Sequence, residues 1–376
     1  MLMTADAYFP AADRSGWERV APTAAGFDPA KLEAAVAFAR ANESRWPTSL
    51  YHPDGRYVGT VEWNEKGPWG EIVGPVAPRG GPAGLVLRGG RIAAEWGEIG
   101  RADMTFSVAK SYLAILAGLA CDDGLIVLDD PVAKTLDDPL FASAHNAPIT
   151  WRHLLQQSSE WQGELFGKSD QVDHNRRSGP GADNSRKGEL RALHAPGTFY
   201  EYNDVRVNVL SYALLRRLGR ALPDVLKERV MDPIGASQDW AWHGYGNSWV
   251  EIAGRQVQSV PGGSHWGGGL FISALDHARV GLLIACKGRW GDRRILTERY
   301  IEAMLLPSTT NRDYGLLWWL NFGRRYPSAP AASAFAVGAG GNLIWIDREH
   351  DLVAVLRWMD PSAFDGFFAR VLAALR

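Results

Sequence analysis

The chain has 376 residues, of which 46% are hydrophobic, and this length can bury a substantial core in one large domain or in two interleaved ones. Lys and Arg together number 40, and Asp and Glu together number 42, so the chain has no strong net electrostatic field. Without such a field, we expect neither nucleic acid nor an anionic membrane surface as a partner.

The N-terminal segment, Met1 to Arg14, contains acidic residues and a proline where a secretory signal has a basic start and an apolar run. No stretch approaches the roughly 18 uninterrupted apolar residues of a membrane span. We therefore predict a cytoplasmic protein without an export signal. The two cysteines, Cys121 and Cys286, lie far apart in apolar segments, so we expect buried free thiols rather than a disulfide or a metal site.

The first predicted elements are a helix and a β-hairpin. Pro29 to Ala41 follows Asp28, an acceptable N-cap, and places apolar residues on one helical face. Gly84 to Arg88 and Arg91 to Glu98 are β-rich runs separated by Gly89-Gly90, which is the pattern of a two-residue hairpin turn. These two runs are the first predicted strands of a sheet.

From Thr105 to about Arg289, helical and loop-like patterns dominate and predict a largely helical insertion. Within it, residues 167–188 are polar and charged, a composition too hydrophilic for a core. We expect this segment to be a long surface loop, and loops of this length often serve as lids or mobile segments.

Strand patterns return after Gly288, and a closing helix is predicted from about Ser362 to Leu375. The predicted strands are Tyr314 to Phe322, a run near Ala334 to Val337, Asn342 to Ile346 and Leu352 to Trp358. Because a lone hairpin is not independently stable, the N-terminal and C-terminal strands must complete one antiparallel sheet. The predicted fold class is α/β (α+β): residues 1–104 and 288–376 form a discontinuous α/β domain, residues 105–287 form a mainly helical domain, and the active site lies at their interface.

Ser107 and Lys110 stand at the start of a strongly apolar helical run. Residues three apart share a helix face, so the hydroxyl and the ammonium can meet. A helix N-terminus favours developing negative charge, as on a nucleophile or its oxyanion. A lysine beside an apolar wall loses its proton more readily, and a neutral Lys110 could then accept the serine proton. By itself Ser-x-x-Lys is common by chance, and a solvated lysine is the ordinary alternative.

Four segments in a fixed order give this pair a context. They are Phe106 to Ser111 with the following Asp122 to Ile126 and Leu128 to Val132, then Ile149 to Ser159, Pro196 to Asp204, and Gly267 to Ala274. Together they resemble class C β-lactamases, DD-peptidases and related esterases, including 6-aminohexanoate-dimer-hydrolase-like members. The resemblance runs from about Gly84 to Trp358 and implies a β-lactamase/transpeptidase-like fold, with an antiparallel sheet flanked by helices and an inserted helical domain.

The resemblance implies a catalytic set of Ser107 as nucleophile, Lys110 beside it and Tyr202 as proton-transfer partner. Alone, Tyr202 would be an ordinary buried tyrosine, but next to Lys110 its phenolate would be favoured and could act as general base. The backbone N–H groups of Ser107 and Ala339 are the expected oxyanion hole. No histidine pair shows metal-ligand spacing, and we expect an acyl-enzyme mechanism that needs neither a metal nor another cofactor.

Two departures from the family pattern concern the substrate. Asp204 replaces the usual Asn of the tyrosine motif, and the inner-strand Lys-Thr-Gly or His-x-Gly is here Val337 to Gly341, without a cation. A cation on that strand suits a substrate carboxylate. We expect substrate contacts from Asp204, Gly338 and Gly340, and cleft walls from His265 and Trp266; the alternative for Trp266 is a purely structural role.

The expected partner is a small-molecule substrate, and the sequence leaves the oligomeric state open. The leading hypothesis is hydrolysis of a carboxylic ester, followed closely by hydrolysis of an amide or an ω-amino-acid oligomer. The inner strand lacks a cation, and the sixteen tryptophans suit a substrate with apolar acyl or alcohol groups. A β-lactamase or DD-peptidase is the second hypothesis, and a non-catalytic penicillin-binding-like sensor is the third. The sequence has no Gly-x-Ser-x-Gly elbow and no phosphate-binding glycine loop, which disfavours α/β-hydrolases and nucleotide hydrolases.

Overall fold

The computed structural model describes residues 7–12, 16–178 and 181–376. The α-helices are α1 (Pro29–Ala41), α2 (Val58–Glu62), α3 (Val108–Asp122), α4 (Val132–Thr135), α5 (Trp151–Leu155), α6 (Asp204–Leu218), α7 (Leu222–Leu226), α8 (Ala274–Ala285), α9 (Glu298–Met304) and α10 (Phe364–Ala373). Short 3-10 turns lie at Gly67–Gly70, Pro139–Phe141, Asp170–Asp173 and Pro361–Ala363, and a π-helical turn lies at Lys227–Met231.

The strands of the main sheet and of four smaller ones follow the same chain order. They are β1 (Ala83–Arg88), β2 (Arg91–Trp96), β3 (Asp103–Met104), β4 (Glu164–Leu165), β5 (Lys168–Ser169), β6 (Ala241–His243), β7 (Trp249–Ile252), β8 (Arg255–Gln258), β9 (Gly269–Ile272), β10 (Arg289–Trp290), β11 (Arg293–Arg294), β12 (Trp319–Leu320), β13 (Ala334–Gly338), β14 (Asn342–Asp347) and β15 (Leu352–Arg357).

The central sheet has six antiparallel strands in the order β12-β13-β14-β15-β1-β2. Its N-terminal and C-terminal parts join where β1 pairs with β15, with Gly84 opposite Leu356. The prediction that distant strands complete one sheet is thus confirmed. The predicted hairpin is also present, and its turn residues Gly89 and Gly90 have φ angles of 54° and 84°, which the two-residue turn requires.

Alternate side chains of the central strands point into two different apolar layers. On β14, Ile344 and Ile346 join the cluster that contains α3 and α8, whereas Leu343 and Trp345 join the cluster that contains α1 and α10. The sheet is therefore covered on both faces, and its strands are nearly continuous apolar runs. The predicted antiparallel sheet flanked by helices is confirmed.

Some predicted elements differ in extent. The predicted strand Tyr314 to Phe322 shrinks to β12, because Gly315 donates a hydrogen bond to Trp318 in a tight turn and Leu317 has a φ of 55°. The predicted helical insertion also contains short strands, among them a sheet in the order β3-β9-β6. The proposed domain limits at residues 104 and 288 stay a prediction.

Helix α8 packs against the central sheet, although its residues belong to the range predicted as the helical domain. A Cβ on Gly281 would lie only 2.6 Å from a Val353 methyl and 2.9 Å from an Ile344 methyl. The missing side chain lets the helix lie directly on β14 and β15.

The segment 167–188 is only in part the surface loop that we expected. In its described residues the side chains of Asp170, Asp173, Arg176 and Lys187 are buried. They are tolerated there because each is paired with opposite charges. The hydrophilic composition thus has two origins: these side chains form a buried ion-pair network, whereas Arg177, Asp183 and Arg186 are exposed.

The two cysteines are free thiols, as predicted, with Cys286 buried and Cys121 partly buried. Burial raises the pKa of Cys121 to about 12 and that of Cys286 to about 11, so neither is a reactive thiolate at neutral pH. Among the described residues, none of the helices combines the length and the apolar character needed to span a bilayer.

Candidate active site

A tight turn between β3 and α3 presents Ser107. The preceding residue, Phe106, has a φ of 50°, which is unusual for a bulky side chain and marks a strained turn. The Phe106 ring is held edge-on against Trp46 and Trp358, with centroid distances of 5.1 and 6.2 Å. Ser107 is the N-cap of α3, but its hydroxyl makes no capping hydrogen bond and is left to Lys110.

The strand that leads into this turn is fixed by buried polar groups. Arg357 on β15 donates hydrogen bonds to the carbonyl oxygens of Met104 at 3.0 Å and Ile272 at 2.7 Å. Thr105 Oγ1 lies 2.7 Å from Nε2 of His277, whose pKa burial holds well below its ordinary value. A neutral imidazole and an arginine therefore anchor the strand that leads into the turn at Ser107.

Lys110 Nζ is buried and has three acceptors. It donates to Ser107 Oγ at 3.0 Å, to the Gly262 carbonyl at 3.1 Å and to Asp204 Oδ1. Burial lowers the pKa of Lys110, but the Asp204 carboxylate, together with Tyr202, outweighs it and the pKa is raised overall. The expectation that burial makes Lys110 a neutral base is therefore wrong, because it did not include the carboxylate of Asp204.

Tyr202 lies beside the same group. Its ring centroid is 4.9 Å from Lys110 Nζ and 5.0 Å from Cζ of Arg176, and the ring stacks on Trp319 at 5.7 Å and 23°. Within the described residues the Tyr202 hydroxyl makes no hydrogen bond, so it does not directly contact Ser107 Oγ. Catalytic hydrogen bonds are often long in unliganded sites and tighten when substrate is bound.

Ser107 and Tyr202 line one cavity of about 510 Å³. Its walls include the indoles of Trp46, Trp63 and Trp319. The predicted residues Gly338, Ala339 and Gly340 also line it. The cavity has the size of a small-molecule site, and its lining combines apolar walls with polar and charged side chains such as Arg45, Glu62 and Asp360.

The end of β13 approaches the turn at Ser107 very closely. A Cβ on Gly338 would lie 2.2 Å from the Thr105 carbonyl oxygen and 3.3 Å from the Ser107 nitrogen, so only glycine fits there. In the part of the chain that the structure describes, the N–H groups of Ser107 and Ala339 donate no hydrogen bond. Both are thus free to bind an oxyanion, and their assignment as the oxyanion hole stays a prediction.

Six charged or titratable side chains form a closed, buried ring behind Lys110. Each has less than a tenth of its side chain exposed. The contacts around the ring are Asp204–His265 at 2.9 Å, His265–Glu65 at 2.6 Å, Glu65–Lys187, Lys187–Asp173 at 3.2 Å, Asp173–Arg176 at 3.1 Å and Arg176–Asp204 at 2.7 Å. Asp204 belongs to the ring and also binds Lys110, so the ring fixes the carboxylate that keeps Lys110 charged.

A family model described as Beta-lactamase matches residues 103–368, which include Ser107, Tyr202 and the glycine segment at the end of β13. The chain belongs to the β-lactamase family. The 6-aminohexanoate-dimer hydrolase of Paenarthrobacter ureafaciens is a relative with 23% identity over 308 residues, which cover 74% of this chain and 73% of that protein.

Two solved structures show the same β-lactamase/transpeptidase-like fold. A penicillin-binding protein homolog from Caulobacter crescentus superposes with a TM-score of 0.57 at 16% identity, over 86% of this chain and 99% of that chain. A family VIII carboxylesterase superposes with a TM-score of 0.56 at 18% identity, over 78% and 91% of the two chains. The predicted family and fold are confirmed, and identities this low establish the fold alone.

Three residues expected to contact substrate do not line the cavity in this β-lactamase-family fold. Asp204 and His265 are buried in the ion-pair ring. Trp266 stacks on His265 at 4.2 Å and 3°, and its Nε1 donates to the Trp69 carbonyl at 2.7 Å. The structure therefore corrects the substrate-binding prediction for these residues and favours the structural alternative for Trp266.

Part of the ring has the spacing of a metal site. Ligand atoms of Glu65, Asp173 and His265 lie within 4.8 Å of one another. The Lys187 ammonium, however, already binds both Glu65 and Asp173. A divalent cation would have to displace this ammonium, so we assign the three residues to the ion-pair ring.

Sequence reasoning missed several residues at this site. Arg176 packs between Trp63, 4.0 Å from the ring centroid, and Tyr202, although its segment was expected on the surface. Gly263 passes so close that a Cβ there would lie 3.3 Å from Lys110 Nζ and 3.5 Å from Ser107 Oγ. The sequence does contain a signal for Arg176, namely the many charged residues in the segment 167–188. Such a segment also fits a solvent-exposed loop, so the signal does not by itself indicate buried ion pairs.

Replacing Asp204 with Asn is expected to lower the free energy of unfolding by about 3–5 kcal/mol, because it leaves the buried Lys110 and Arg176 short of an anion. Urea denaturation at neutral pH measures this loss. The matched control is Asp183→Asn, an exposed change in the segment 167–188, which is expected to leave the unfolding curve unchanged.

The destabilisation in Asp204→Asn should also depend on pH. Burial raises the pKa of Asp204, but Arg176 and Lys110 outweigh it and hold the pKa well below the ordinary 3.8. Because the folded pKa is the lower one, the stabilisation is complete above pH 3.8 and is lost as the pH falls further. The wild-type and variant curves should therefore converge in acid; a constant difference down to pH 2 would contradict the assigned role of the carboxylate.

Proposed function

We propose that this protein is a serine hydrolase that cleaves a carboxylic ester, or an amide, through an acyl-enzyme intermediate. One observation carries the proposal: at the start of α3, Lys110 Nζ donates a 3.0 Å hydrogen bond to Ser107 Oγ inside a cavity that Tyr202 also lines. A serine held by a buried cation at a helix N-terminus is an arrangement suited to nucleophilic attack.

In the proposed mechanism, the phenolate of Tyr202 accepts the proton of Ser107 as Oγ attacks the substrate carbonyl carbon. The tetrahedral oxyanion binds the N–H groups of Ser107 and Ala339, and Tyr202 then protonates the leaving group. Water attacks the acyl-enzyme by the reverse sequence and releases the acid. Lys110 stays an ammonium throughout, because Asp204 is bound to it. The ammonium orients Ser107 and stabilises negative charge on Tyr202.

An ester or amide is favoured over a β-lactam by the cavity walls. The inner-strand segment Val337 to Gly341 supplies small residues but no cation beside the nucleophile. The tryptophan walls suit an apolar acyl or alcohol group. The similarity to a carboxylesterase and to a 6-aminohexanoate-dimer hydrolase supports ester and amide substrates. Turnover of nitrocefin would instead support the β-lactamase alternative.

The intermediate can be tested by mass spectrometry. Mixing the protein with p-nitrophenyl butyrate and quenching in acid should give a protein heavier by one butyryl group, located on the peptide that contains Ser107. Ser178, which lines the same cavity, should stay unmodified. Steady ester turnover with the butyryl group on Ser178, or on no residue at any quench time, would contradict the proposed intermediate.

A further inference from the structure

We propose that Arg325 binds a negatively charged group of the substrate, so that the physiological substrate is an ester or amide with a free carboxylate. This inference rests on the proposed function and extends it to a substrate class. Arg325 lies in the connection between β12 and β13 and lines the cavity that contains Ser107. Its place on the cavity wall puts a cation within the substrate site, although the inner strand supplies none.

The guanidinium of Arg325 is held against an aromatic wall. Its Cζ lies 4.5 Å from the Trp319 ring centroid and 5.8 Å from that of Tyr326. Trp319 in turn stacks on Tyr202. The Trp319 ring therefore lies between the Arg325 guanidinium and Tyr202, the expected general base. Stacking on this ring fixes the plane of the guanidinium and leaves N–H groups at its edge able to bind an anion.

Arg325 has no anionic partner among the described residues. It forms no salt bridge there, and the polar group that it meets is the neutral hydroxyl of Tyr326. The other arginine on the cavity wall, Arg45, pairs with Asp360 at 3.2 Å. A guanidinium has five N–H donors, and Arg325 is partly buried. Of the two arginines, Arg325 is therefore the one to which a bound anion would supply the missing acceptors.

The chemistry of the group selects a carboxylate. A planar guanidinium can donate two parallel hydrogen bonds to a carboxylate, and such charge-assisted pairs are among the stronger polar contacts in proteins. The cavity walls also include the indoles of Trp46, Trp63 and Trp319. A substrate with an apolar spacer between its scissile carbonyl and a terminal carboxylate would match both features.

Paired chromogenic esters test this assignment. The mono-p-nitrophenyl esters of succinate, glutarate, adipate and pimelate vary the spacer, and each is compared with its methyl ester, in which a neutral group replaces the carboxylate. For the spacer that fits, kcat/KM of the acid should exceed that of the methyl ester by about 10-fold or more. In Arg325→Gln, kcat/KM for the acid should fall by about 10- to 100-fold and that for the methyl ester by less than about threefold.

Two further variants sharpen the test. Arg324→Gln removes the neighbouring exposed arginine, which does not line the cavity, and should leave the preference for the acid intact. Arg325→Lys keeps the charge without the bidentate geometry and should restore part of the preference. No preference for the acid at any spacer length, or equal losses for both esters in Arg325→Gln, would overturn the assignment while leaving ester hydrolysis in place. If no ester were turned over in a Ser107-dependent manner, the proposed function itself would fail, and the inference with it.

Discussion

Replacing Ser107 with Ala is expected to lower kcat/KM for p-nitrophenyl butyrate by at least about 10³-fold, because no other group in the proposed mechanism can form the acyl-enzyme. The loss should appear mainly in kcat, since the substitution leaves the tryptophan walls of the cavity in place. Release of p-nitrophenol, followed at substrate concentrations above and below KM, separates the two effects.

The structure offers a matched control for this variant. Ser178 lines the same cavity, but no lysine donates a hydrogen bond to its hydroxyl. Ser178→Ala should therefore keep activity within about threefold of the wild type. Removing the hydroxyl of Ser107 should not unfold the protein, because this hydroxyl caps no helix. Full ester turnover by a folded Ser107→Ala variant would refute the mechanism.

Local sequence determined much of the fold. Helix α1 begins and ends where predicted, because Asp28 caps the N–H groups of Ala30 and Lys31 and the apolar face follows within a few residues. The hairpin of β1 and β2 depends on two adjacent glycines. By contrast, the apolar run from Tyr314 to Phe322 resembles a strand, and the turn that interrupts it has no distinctive residue other than Gly315.

The sequence indicated that Ser107, Lys110 and Tyr202 would lie together, but it did not indicate the ring behind them. Composition does not distinguish a solvated charge from a paired one, and pairing here is long-range: Glu65 and Lys187 are separated by 122 positions. The same limit explains the wrong protonation state predicted for Lys110. Its acceptor Asp204 was visible in the sequence as a departure from the family pattern, yet the sequence could not show which way the carboxylate points.

The second large effect is expected for Tyr202→Phe, which should lower kcat for p-nitrophenyl butyrate by about 10²- to 10⁴-fold, the usual contribution of a general acid–base group. KM should change little, because the phenyl ring keeps its stacking on Trp319 and its place in the cavity wall. Stability should not fall, since the Tyr202 hydroxyl has no hydrogen bond to lose within the described residues. Loss of activity with an unchanged urea midpoint would thus identify a chemical rather than a structural role.

Tyr200→Phe is the control that decides how this result is interpreted. Tyr200 lies two residues away, packs edge-on against Tyr314 at 5.3 Å, and has a buried hydroxyl without a hydrogen-bond partner among the described residues. Because it does not line the cavity, its hydroxyl should be dispensable for turnover.

If Tyr202→Phe were as active as Tyr200→Phe, the proton of Ser107 would have to go to another group. The nearest candidate is Lys110, and it could accept that proton only after giving up the charge that Asp204 stabilises. Activity in such an enzyme would then rise when Asp204 is replaced by Asn, whereas the tyrosine mechanism requires it to fall.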